Sequence, residues 1–367
     1  MYTITLETNT ICNLRCRYCY LGKKTNKNMR LETGKRAIDI AINETCKQYD
    51  KKLFVCFLGG EPLLSSDFIE DIVKYSIAKC NEKTLDVCFG ITTNGTIIND
   101  KIISILSMHP FSIRISIDGD EMSHNRNRIK EDGEGSYDLI VSNLGKFIKI
   151  SEENKEILRA VQVISCNTIK SISKNLTTLF DLGFKYIETG YNGYQKWGES
   201  DIISLKEEML ICVKKYEEIV KCDNSLYWSV YFTALNRFLY ENKRFYYCMA
   251  GMSSIFVNVD GKIYFCKETN AELSVGDVFE GLDAKRIRDI AYIRNTKNKN
   301  CLDCRWLKHC SAKGCFTENY SINGDIYNPV IIECEMTKFF NQYFDNKYNE
   351  IEREILRERF DRIRGCQ

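Results

Sequence analysis

The first 220 or so residues alternate short β-rich runs with longer amphipathic runs, and this alternation restricts the fold more than any other feature. The predicted strands are residues 3–8, 53–58, 86–92, 112–117, 160–165 and 186–189. The predicted helices between and after them are residues 33–47, 67–79, 100–106, 137–149, 172–182 and 204–220. Strands that alternate with helices predict an α/β fold with a parallel sheet, either doubly wound or a partial (β/α)6 barrel of the TIM type. In both architectures the functional loops follow the C-terminal ends of the strands.

The pattern changes beyond about residue 246, where the predicted elements become short and cysteines crowd together. Residues 255–259 and 264–266 predict a β-hairpin, and residues 336–363 predict one long amphipathic helix or two. A bridging helix is expected over residues 227–242. The predicted domains are therefore 1–222 for the barrel, 223–245 for the bridging segment, 246–340 for a small Cys-rich domain and 341–367 for a helical tail.

Charge and hydropathy exclude several classes of protein. Lys and Arg total 52 and Asp and Glu total 50, so the net charge of +2 gives no reason to expect nucleic-acid binding. No run approaches the roughly 18 apolar residues of a membrane span, and the N-terminus lacks the pattern of a signal peptide. The cytoplasm is the expected location. In that reducing compartment, 18 cysteines indicate metal or cluster ligation rather than disulfides.

Three cysteines, Cys12, Cys16 and Cys19, follow directly on the first predicted strand. Three thiolates on one loop at a strand's C-terminal end can converge on a soft metal centre. A cubane bound by three cysteines keeps one iron open, which is what an enzyme needs if the cluster must bind a small molecule. A zinc knuckle without its fourth ligand and a chance pattern remain alternatives on spacing alone, although structural zinc requires a closed tetrahedral set.

Polar loops follow the next three predicted strands, at residues 59–62, 92–95 and 116–119. A Gly-Gly turn lets backbone approach a ligand closely, and Glu61 beside it supplies an anion for a cationic group. Asp118 offers two oxygens to a ribose diol, and either Arg126 or Arg128 can pair with a carboxylate. Taken one at a time, an ordinary turn or a solvated charge explains each of these residues equally well.

Together these motifs resemble those of the radical S-adenosylmethionine (SAM) superfamily. Its hallmark is Cys-x-x-x-Cys-x-aromatic-Cys, and Tyr18 fills the aromatic position here. The resemblance implies that Cys12, Cys16 and Cys19 hold a [4Fe-4S] cluster whose open iron binds SAM. It also implies that the reduced cluster cleaves SAM to a 5′-deoxyadenosyl radical, which abstracts a hydrogen atom from the substrate. The implied SAM-binding residues are Tyr18, Gly59, Gly60, Glu61, Pro62, Thr93, Asn94, Ser116, Asp118 and Arg128.

A second group of cysteines lies between residues 246 and 340, and its tight spacing fits either iron–sulfur clusters or structural zinc. The group resembles the SPASM domain of peptide- and protein-modifying radical SAM enzymes, except that four residues rather than three separate Cys310 from Cys315. The resemblance implies two auxiliary [4Fe-4S] clusters. Their implied ligands are Cys248, Cys266 and Cys315 for the first, and Cys301, Cys304, Cys310 and Cys334 for the second. The first would have an open iron unless a remote cysteine such as Cys222 completes it.

The reaction is predicted from Lys267, which follows Cys266 at the position where anaerobic sulfatase maturases share an Asp that serves as base. This difference favours maturation of a ribosomally made peptide, with a thioether or another side-chain crosslink as product. The sulfatase-maturase type of oxidation remains the alternative among enzymes. An iron–sulfur electron carrier or a zinc-stabilised binding module is the alternative outside enzymes.

The partners expected from this resemblance are a peptide or protein substrate with a leader segment and an electron donor such as flavodoxin or ferredoxin. Only eleven residues precede Cys12, so a separate peptide-recognition protein is also expected. No catalytic base is assigned. Glu188, Tyr191 and Asn192 could face substrate, but ordinary loop polarity explains them as well. Glu268 is weighed as a base on equally thin grounds.

Overall fold

The computed structural model describes residues 1–22, 24–241, 244–267 and 270–365, and side chains as far as residue 361. Glu268 therefore lies outside the described residues. The chain forms two compact units whose segments interleave along the sequence. The first consists of Met1–Ile164, Lys174–Glu188 and Met249–Ala291. The second consists of Ser165–Ser173, Thr189–Cys248 and Tyr292–Gln367.

The first unit is built on a sheet whose leading strands are parallel and follow one another in chain order. These strands are β1 (Tyr2–Glu7), β2 (Lys52–Leu58), β3 (Asp86–Thr93), β4 (Phe111–Ser116), β5 (Arg159–Ile164) and β6 (Tyr186–Tyr191), the last of which begins in this unit. Ile4 pairs with Val55, and Val55 pairs with Phe89. The predicted parallel α/β arrangement is confirmed.

Helices alternate with these strands. They are α1 (Leu31–Thr45), α2 (Ser66–Glu82), α3 (Asp100–Ser107), α4 (Glu121–Asn127), α5 (Tyr137–Glu153) and α6 (Ile172–Asp181). α1 packs on β1 and β2, α2 on β3, and α5 on β4. Leu53, Val55 and Phe57 on β2 are completely buried, whereas Phe54 and Cys56 between them are partly exposed. Because successive strand residues point to opposite faces, Leu53, Val55 and Phe57 lie on the helix-covered face of the sheet, and Phe54 and Cys56 lie on the opposite face.

The predicted hairpin extends this same sheet. β8 (Ser254–Val257) pairs in parallel with β1, and β9 (Lys262–Tyr264) pairs antiparallel with β8. β10 (Ser274–Asp277) and β11 (Gly281–Leu282) complete that edge, and helix α9 (Ala284–Ala291) follows. The hairpin joins the first unit because the apolar residues of β8 lie against the open edge of β1 and are buried there. The units therefore do not follow the predicted order of domains along the chain.

The second unit is mainly helical. Its elements are α7 (Glu199–Cys222), β7 (Tyr227–Trp228), α8 (Ser229–Leu239), α10 (Lys299–Leu302), α11 (Phe316–Asn323), α12 (Ile331–Lys347) and α13 (Glu350–Gly365). An aromatic core joins α8 to α12, with the Phe344 ring 5.4 Å from Tyr231 and 5.7 Å from Phe238. The tail forms two helices because Asn349 caps the second one. Its Oδ1 accepts a hydrogen bond from Glu352 N at 3.0 Å.

Within the described part of the chain, every helix is too short or too polar to cross a membrane.

Candidate active site

The loop that carries the first three cysteines is fixed by backbone hydrogen bonds to the end of β2. Gly60 N donates to Asn9 O at 2.9 Å, and Glu61 N donates to Ile11 O at 2.7 Å. A Cβ atom on Gly60 would lie 2.1 Å from the Ile11 carbonyl oxygen. The Gly-Gly turn was expected to admit a ligand. In the structure, its small residues admit the backbone segment that leads into Cys12.

The other side of the loop is held by the segment that follows α4. Arg15 N donates to Ile129 O at 2.7 Å, and Arg17 N donates to Asn127 O at 2.9 Å. Cys19 N donates to Cys16 O at 3.2 Å, which closes a tight turn. The three thiols thus sit on a loop whose two sides are both anchored to the first unit.

The three thiols are free, partly exposed and close enough to influence one another's ionisation. Burial, with smaller contributions from the neighbouring thiols Cys12 and Cys19, raises the pKa of Cys16 to about 11, although the Arg128 guanidinium lowers it in part. Burial also raises the pKa of Cys12. Because metal ligands must be thiolates, binding of iron by this loop would release protons.

Two polar groups surround these sulfur atoms in the way that cluster ligands require. Lys24 Nζ donates to Cys19 Sγ at 2.8 Å, and Asn94 Nδ2 lies 3.9 Å from Cys12 Sγ. Hydrogen bonds to sulfur and a nearby cation stabilise an anionic iron–sulfur centre. Lys24 was missed by the sequence analysis, and its only signal is a basic residue shortly after the triplet.

No three His, Cys, Asp or Glu side chains among the described residues are placed to hold a single metal ion. A cubane has a different requirement, since each cysteine binds its own iron and the sulfur atoms stand further apart. Three cysteines are a sufficient protein ligand set for a cubane with one open iron, whereas structural zinc requires four ligands.

Glu61 is fully buried at the end of β2 and connects three segments of chain. Its Oε1 accepts from Leu63 N at 3.0 Å and from Thr93 Oγ1 at 2.7 Å, and its Oε2 accepts from Asn94 N at 2.7 Å. Pro62, the next residue, is also buried and begins a short 3-10 turn. Burial raises the pKa of Glu61 to about 7, although these hydrogen bonds lower it in part. One acceptor position of the carboxylate remains for a further donor.

Asp118, just beyond β4, forms a second buried centre. Its Oδ1 accepts from Arg128 Nη2 at 3.1 Å and from Val163 N at 3.0 Å, and its Oδ2 accepts from Tyr18 Oη. The Arg128 guanidinium also lies 5.3 Å from the centre of the Tyr18 ring. Three of the predicted SAM-binding side chains are thus in mutual contact. The predicted ribose contact of Asp118 stays a prediction.

The remaining predicted residues lie close by along the chain. Thr93 and Asn94 are buried at the end of β3, Gly59 is in the left-handed region with φ +147°, and Ser116 is the last residue of β4. His124 is buried, and its Nε2 is 2.9 Å from Ser136 Oγ. Burial lowers the pKa of His124 to about 4, so its ring is neutral near pH 7 and orders this loop.

In the second unit, four thiols surround one cavity of about 190 Å³. They are those of Cys301, Cys304, Cys310 and Cys334, the set implied by the resemblance to the SPASM domain. Lys313 and Lys338 line the same cavity. Two ammonium groups beside four thiols suit a centre with net negative charge. Burial lowers the pKa of Lys313, and a negatively charged centre in the cavity would favour its protonated form.

The other predicted set is distributed over both units. Cys266 belongs to the first unit, while Cys248 and Cys315 belong to the second. Within the second unit, a Cβ atom on Gly314 would lie 1.9 Å from the carbonyl oxygen of Phe245. The backbone leading into Cys315 therefore packs tightly on the segment that leads to Cys248. Joint ligation by these three cysteines stays a prediction.

We expect Gly314→Ala to destabilise the second unit by about 2 kcal/mol or more, because its methyl group meets backbone that cannot rotate away. Its iron content after reconstitution should fall as well. Gly145, in the interior of α5 with open space around it, provides the control. Gly145→Ala should stabilise by about 0.5–1 kcal/mol through helix propensity. Thermal unfolding measures both changes, and an unchanged midpoint for Gly314→Ala would show that the packing is looser than described.

Comparison with known proteins identifies the first domain. Residues 6–165 match the family model of the radical SAM superfamily. An uncharacterized protein of Methanocaldococcus jannaschii, MJ0907, is 28% identical over 88% of this chain and 97% of its own. The radical SAM cyclopropyl synthase TigE of Paramaledivibacter caminithermalis is 24% identical over 84% and 66%. A cysteine-type anaerobic sulfatase-maturating enzyme of Clostridium novyi is 26% identical over 83% and 84%.

Two solved structures share the fold. Native anSMEcpe with bound AdoMet and Cp18Cys peptide superposes with a TM-score of 0.77 at 19% identity, covering 96% of this chain and 99% of that one. Streptococcus suis SuiB bound to precursor peptide SuiA gives a TM-score of 0.58 at 16% identity, covering 91% and 75%. The matched residues 6–165 contain the cysteine loop, Glu61 and Asp118. This chain is a radical SAM superfamily enzyme.

Proposed function

We propose that the chain is a radical SAM peptide maturase that joins side chains of a ribosomally made peptide, with a thioether as the favoured product. The observation that carries the proposal is the cavity in the second unit, where four thiols and two lysines surround about 190 Å³. A site of this kind, separate from the N-terminal cysteine loop, supports an auxiliary cluster. The proposal includes a partial (β/α)6 barrel followed by a SPASM-type domain, three [4Fe-4S] clusters in total, and a flavodoxin or ferredoxin as electron donor.

Relatives support a peptide or protein substrate. Two solved structures of this fold contain a bound peptide, Cp18Cys in one and the precursor SuiA in the other. The relatives named above include a cyclopropyl synthase and a sulfatase-maturating enzyme, both of which are radical SAM maturases or modifying enzymes. We infer a peptide for this chain as well, with a separate leader-recognition protein as a further expected partner.

The chain's own residues would bind and orient SAM as follows. Cys12, Cys16 and Cys19 would hold the cluster, which with SAM supplies the 5′-deoxyadenosyl radical when both are bound. Glu61 would accept a hydrogen bond from the amino group of SAM at its remaining acceptor position. Asp118, held by Tyr18 and Arg128, would face the ribose.

The affinity for SAM should depend on pH through Glu61. Burial raises the pKa of this carboxyl to about 7, and only the ionised carboxylate has a free acceptor position for each oxygen when the amino N–H of SAM donates to it. Affinity should therefore fall as pH drops below about 7, by up to about tenfold per pH unit, and level off above it. Glu61→Gln should bind SAM more weakly near pH 8 and without this pH dependence. Equilibrium dialysis of SAM over this range tests both; a pH-independent wild type would contradict the assignment.

The function is tested with the full chain, reconstituted anaerobically with iron and sulfide. We expect about twelve irons per chain and 5′-deoxyadenosine on reduction in the presence of SAM. The candidate substrates are small peptides encoded beside the gene. Mass spectrometry should show a peptide that has lost hydrogen but retained its cysteine sulfur. A colourless zinc protein, or an iron protein that never cleaves SAM, would overturn the proposal.

Oxidation of the sulfatase-maturase type is the second candidate, because a relative of that name matches over 83% of this chain. Lys267 argues against it, since an ammonium group cannot serve as the base at the position after Cys266. In the structure this ammonium lies 5.0 Å from the centre of the Tyr20 ring. The same mass measurement separates the two reactions, because formylglycine formation from cysteine removes the sulfur.

A further inference from the structure

Two arginines and one glutamate form a charged cluster on the face of the first unit's sheet that lies opposite the helix-covered face. Arg114 lies on β4 between Ile113 and Ile115, which are completely buried on the helix-covered face. Arg159, the first residue of β5, is its register partner. Both side chains contact Glu188 on β6. Arg114 Nε donates to its Oε1 at 3.1 Å, and Arg159 Nη1 donates to the same oxygen at 3.2 Å.

The cluster carries an unbalanced positive charge. Two guanidinium groups share one carboxylate, and neither has another ion-pair partner in the described part of the chain. Arg114 Nη1 and Arg159 Nε are shielded from solvent without a hydrogen-bond partner among the described residues. The side chains are only 21% and 26% exposed, so water compensates this charge incompletely. A charged donor left without a partner in such a place costs free energy.

The described neighbours of the cluster do not supply a second anion. Thr92 is the register partner of Arg114 on β3, and the Tyr186 ring centre lies 4.3 Å from the Arg159 guanidinium. The Cys56 thiol on β2 is also nearby, and burial raises its pKa, which keeps it neutral. A purely structural network of buried charges is stable when every member is satisfied. The cluster of Arg114, Arg159 and Glu188 has two cations and only one anion among the described residues.

The cluster lies where a substrate can reach it. Arg114 and Ser116 point to the same face of β4, two residues apart, so they are separated by about 7 Å along the strand. Ser116 is one of the predicted SAM-binding residues at the strand ends. A substrate placed over this face beside SAM would therefore extend toward the two arginines.

We propose that Arg114 and Arg159 bind a carboxylate of the peptide substrate, an inference that rests on the proposed function for the identity of the ligand as a peptide. Guanidinium groups match carboxylates in shape and charge, and two of them select an anion over a neutral amide. Glu188 holds the pair in place and competes with the incoming carboxylate. The carboxylate comes from an acidic side chain or from the C-terminus, and these two sources can be distinguished.

The test measures binding without turnover. The probes are N-acetylglutamate N-methylamide, its glutamine counterpart, and N-acetylalanine beside its amide, titrated calorimetrically at low salt into the reconstituted full chain with SAM. Wild type should bind the glutamate probe about tenfold more tightly than the glutamine probe. If instead N-acetylalanine is preferred over its amide and the glutamate probe is not preferred over the glutamine probe, the site binds a C-terminal carboxylate. Equal affinity for every charged and neutral pair would overturn the proposal.

Two variants should act in opposite directions. Arg159→Gln should abolish the preference for the charged probe, whereas Glu188→Gln, which removes the competing anion, should increase it severalfold. General destabilisation would weaken both alike, and parallel effects would contradict the proposal. Arg36→Gln, which removes a surface ion pair with Glu32, is the control and should change nothing. Formation of 5′-deoxyadenosine is measured separately. A protein that cleaves SAM but does not prefer the charged probe would contradict the carboxylate site and leave the proposed function intact. Discrimination without SAM cleavage defeats the proposed function alone.

Discussion

Cys16→Ala is expected to lower the formation of 5′-deoxyadenosine at least about a thousandfold, which corresponds to about 4 kcal/mol in the barrier. The reason is that each of the three thiols on the N-terminal loop would bind a different iron, and no described neighbour can replace Cys16. The thiols around the cavity of the second unit are unaffected by the change. The iron content should therefore fall by about four per chain rather than to zero.

Cys46→Ala is the matched control for this experiment. Cys46 is also a free, partly exposed cysteine, but it lies at the end of α1 and has no predicted ligand role. Its replacement should leave both the iron content and SAM cleavage at wild-type levels. If Cys46→Ala and Cys16→Ala lost activity equally, the loss would reflect general instability rather than ligation.

Gly60→Ala is expected to disable the site without removing any ligand. Its methyl group would lie 2.1 Å from the Ile11 carbonyl oxygen, so the two backbone hydrogen bonds between β2's end and the cysteine loop must break. Cys12 follows Ile11, and Glu61 follows Gly60, so both would be displaced together. A misplacement of about 1 Å in a reacting site can cost about a hundredfold in rate. We expect at least that loss in SAM cleavage.

The Gly145→Ala control introduces the same methyl group where no atom lies within 4 Å. It should retain full SAM cleavage. The electron paramagnetic resonance spectrum of the reduced protein should show a loss or change in the signal of the N-terminal cluster for Gly60→Ala only. Full activity in Gly60→Ala would mean that the loop is not fixed by this backbone contact.

Local pattern predicted much of the fold, and long-range pairing accounts for what it missed. Six strands and their helices were predicted within a few residues of their observed bounds, since strands and helices differ in their hydrophobic period. The parallel pairing of Ile255 with Ile4 was not predictable. It joins residues about 250 positions apart, and nothing in the spacing of a hairpin indicates which strand edge it will extend.

The candidate site was predictable where chemistry needs fixed spacing. Cys301, Cys304 and Cys310 were grouped by their spacing, Cys334 was added by the resemblance to the SPASM domain, and all four line one cavity. The hydrogen bonds that hold the buried carboxylates in place were not predictable. For example, Val163 N reaches Asp118 only because β4 pairs with β5. The Arg159–Glu188 contact likewise depends on three-dimensional neighbours, and in the sequence both residues resemble ordinary surface charges.

The proposed radical chemistry requires that Cys12, Cys16 and Cys19 hold a cluster whose fourth iron binds the amino and carboxylate groups of SAM. Electron–nuclear double resonance of the reduced protein with SAM labelled with nitrogen-15 at its amino group tests this directly. We expect a hyperfine coupling from that nitrogen in the wild type and none in Cys16→Ala. A reduced cluster at this loop that shows no coupling to the labelled nitrogen, with SAM demonstrably bound, would contradict it.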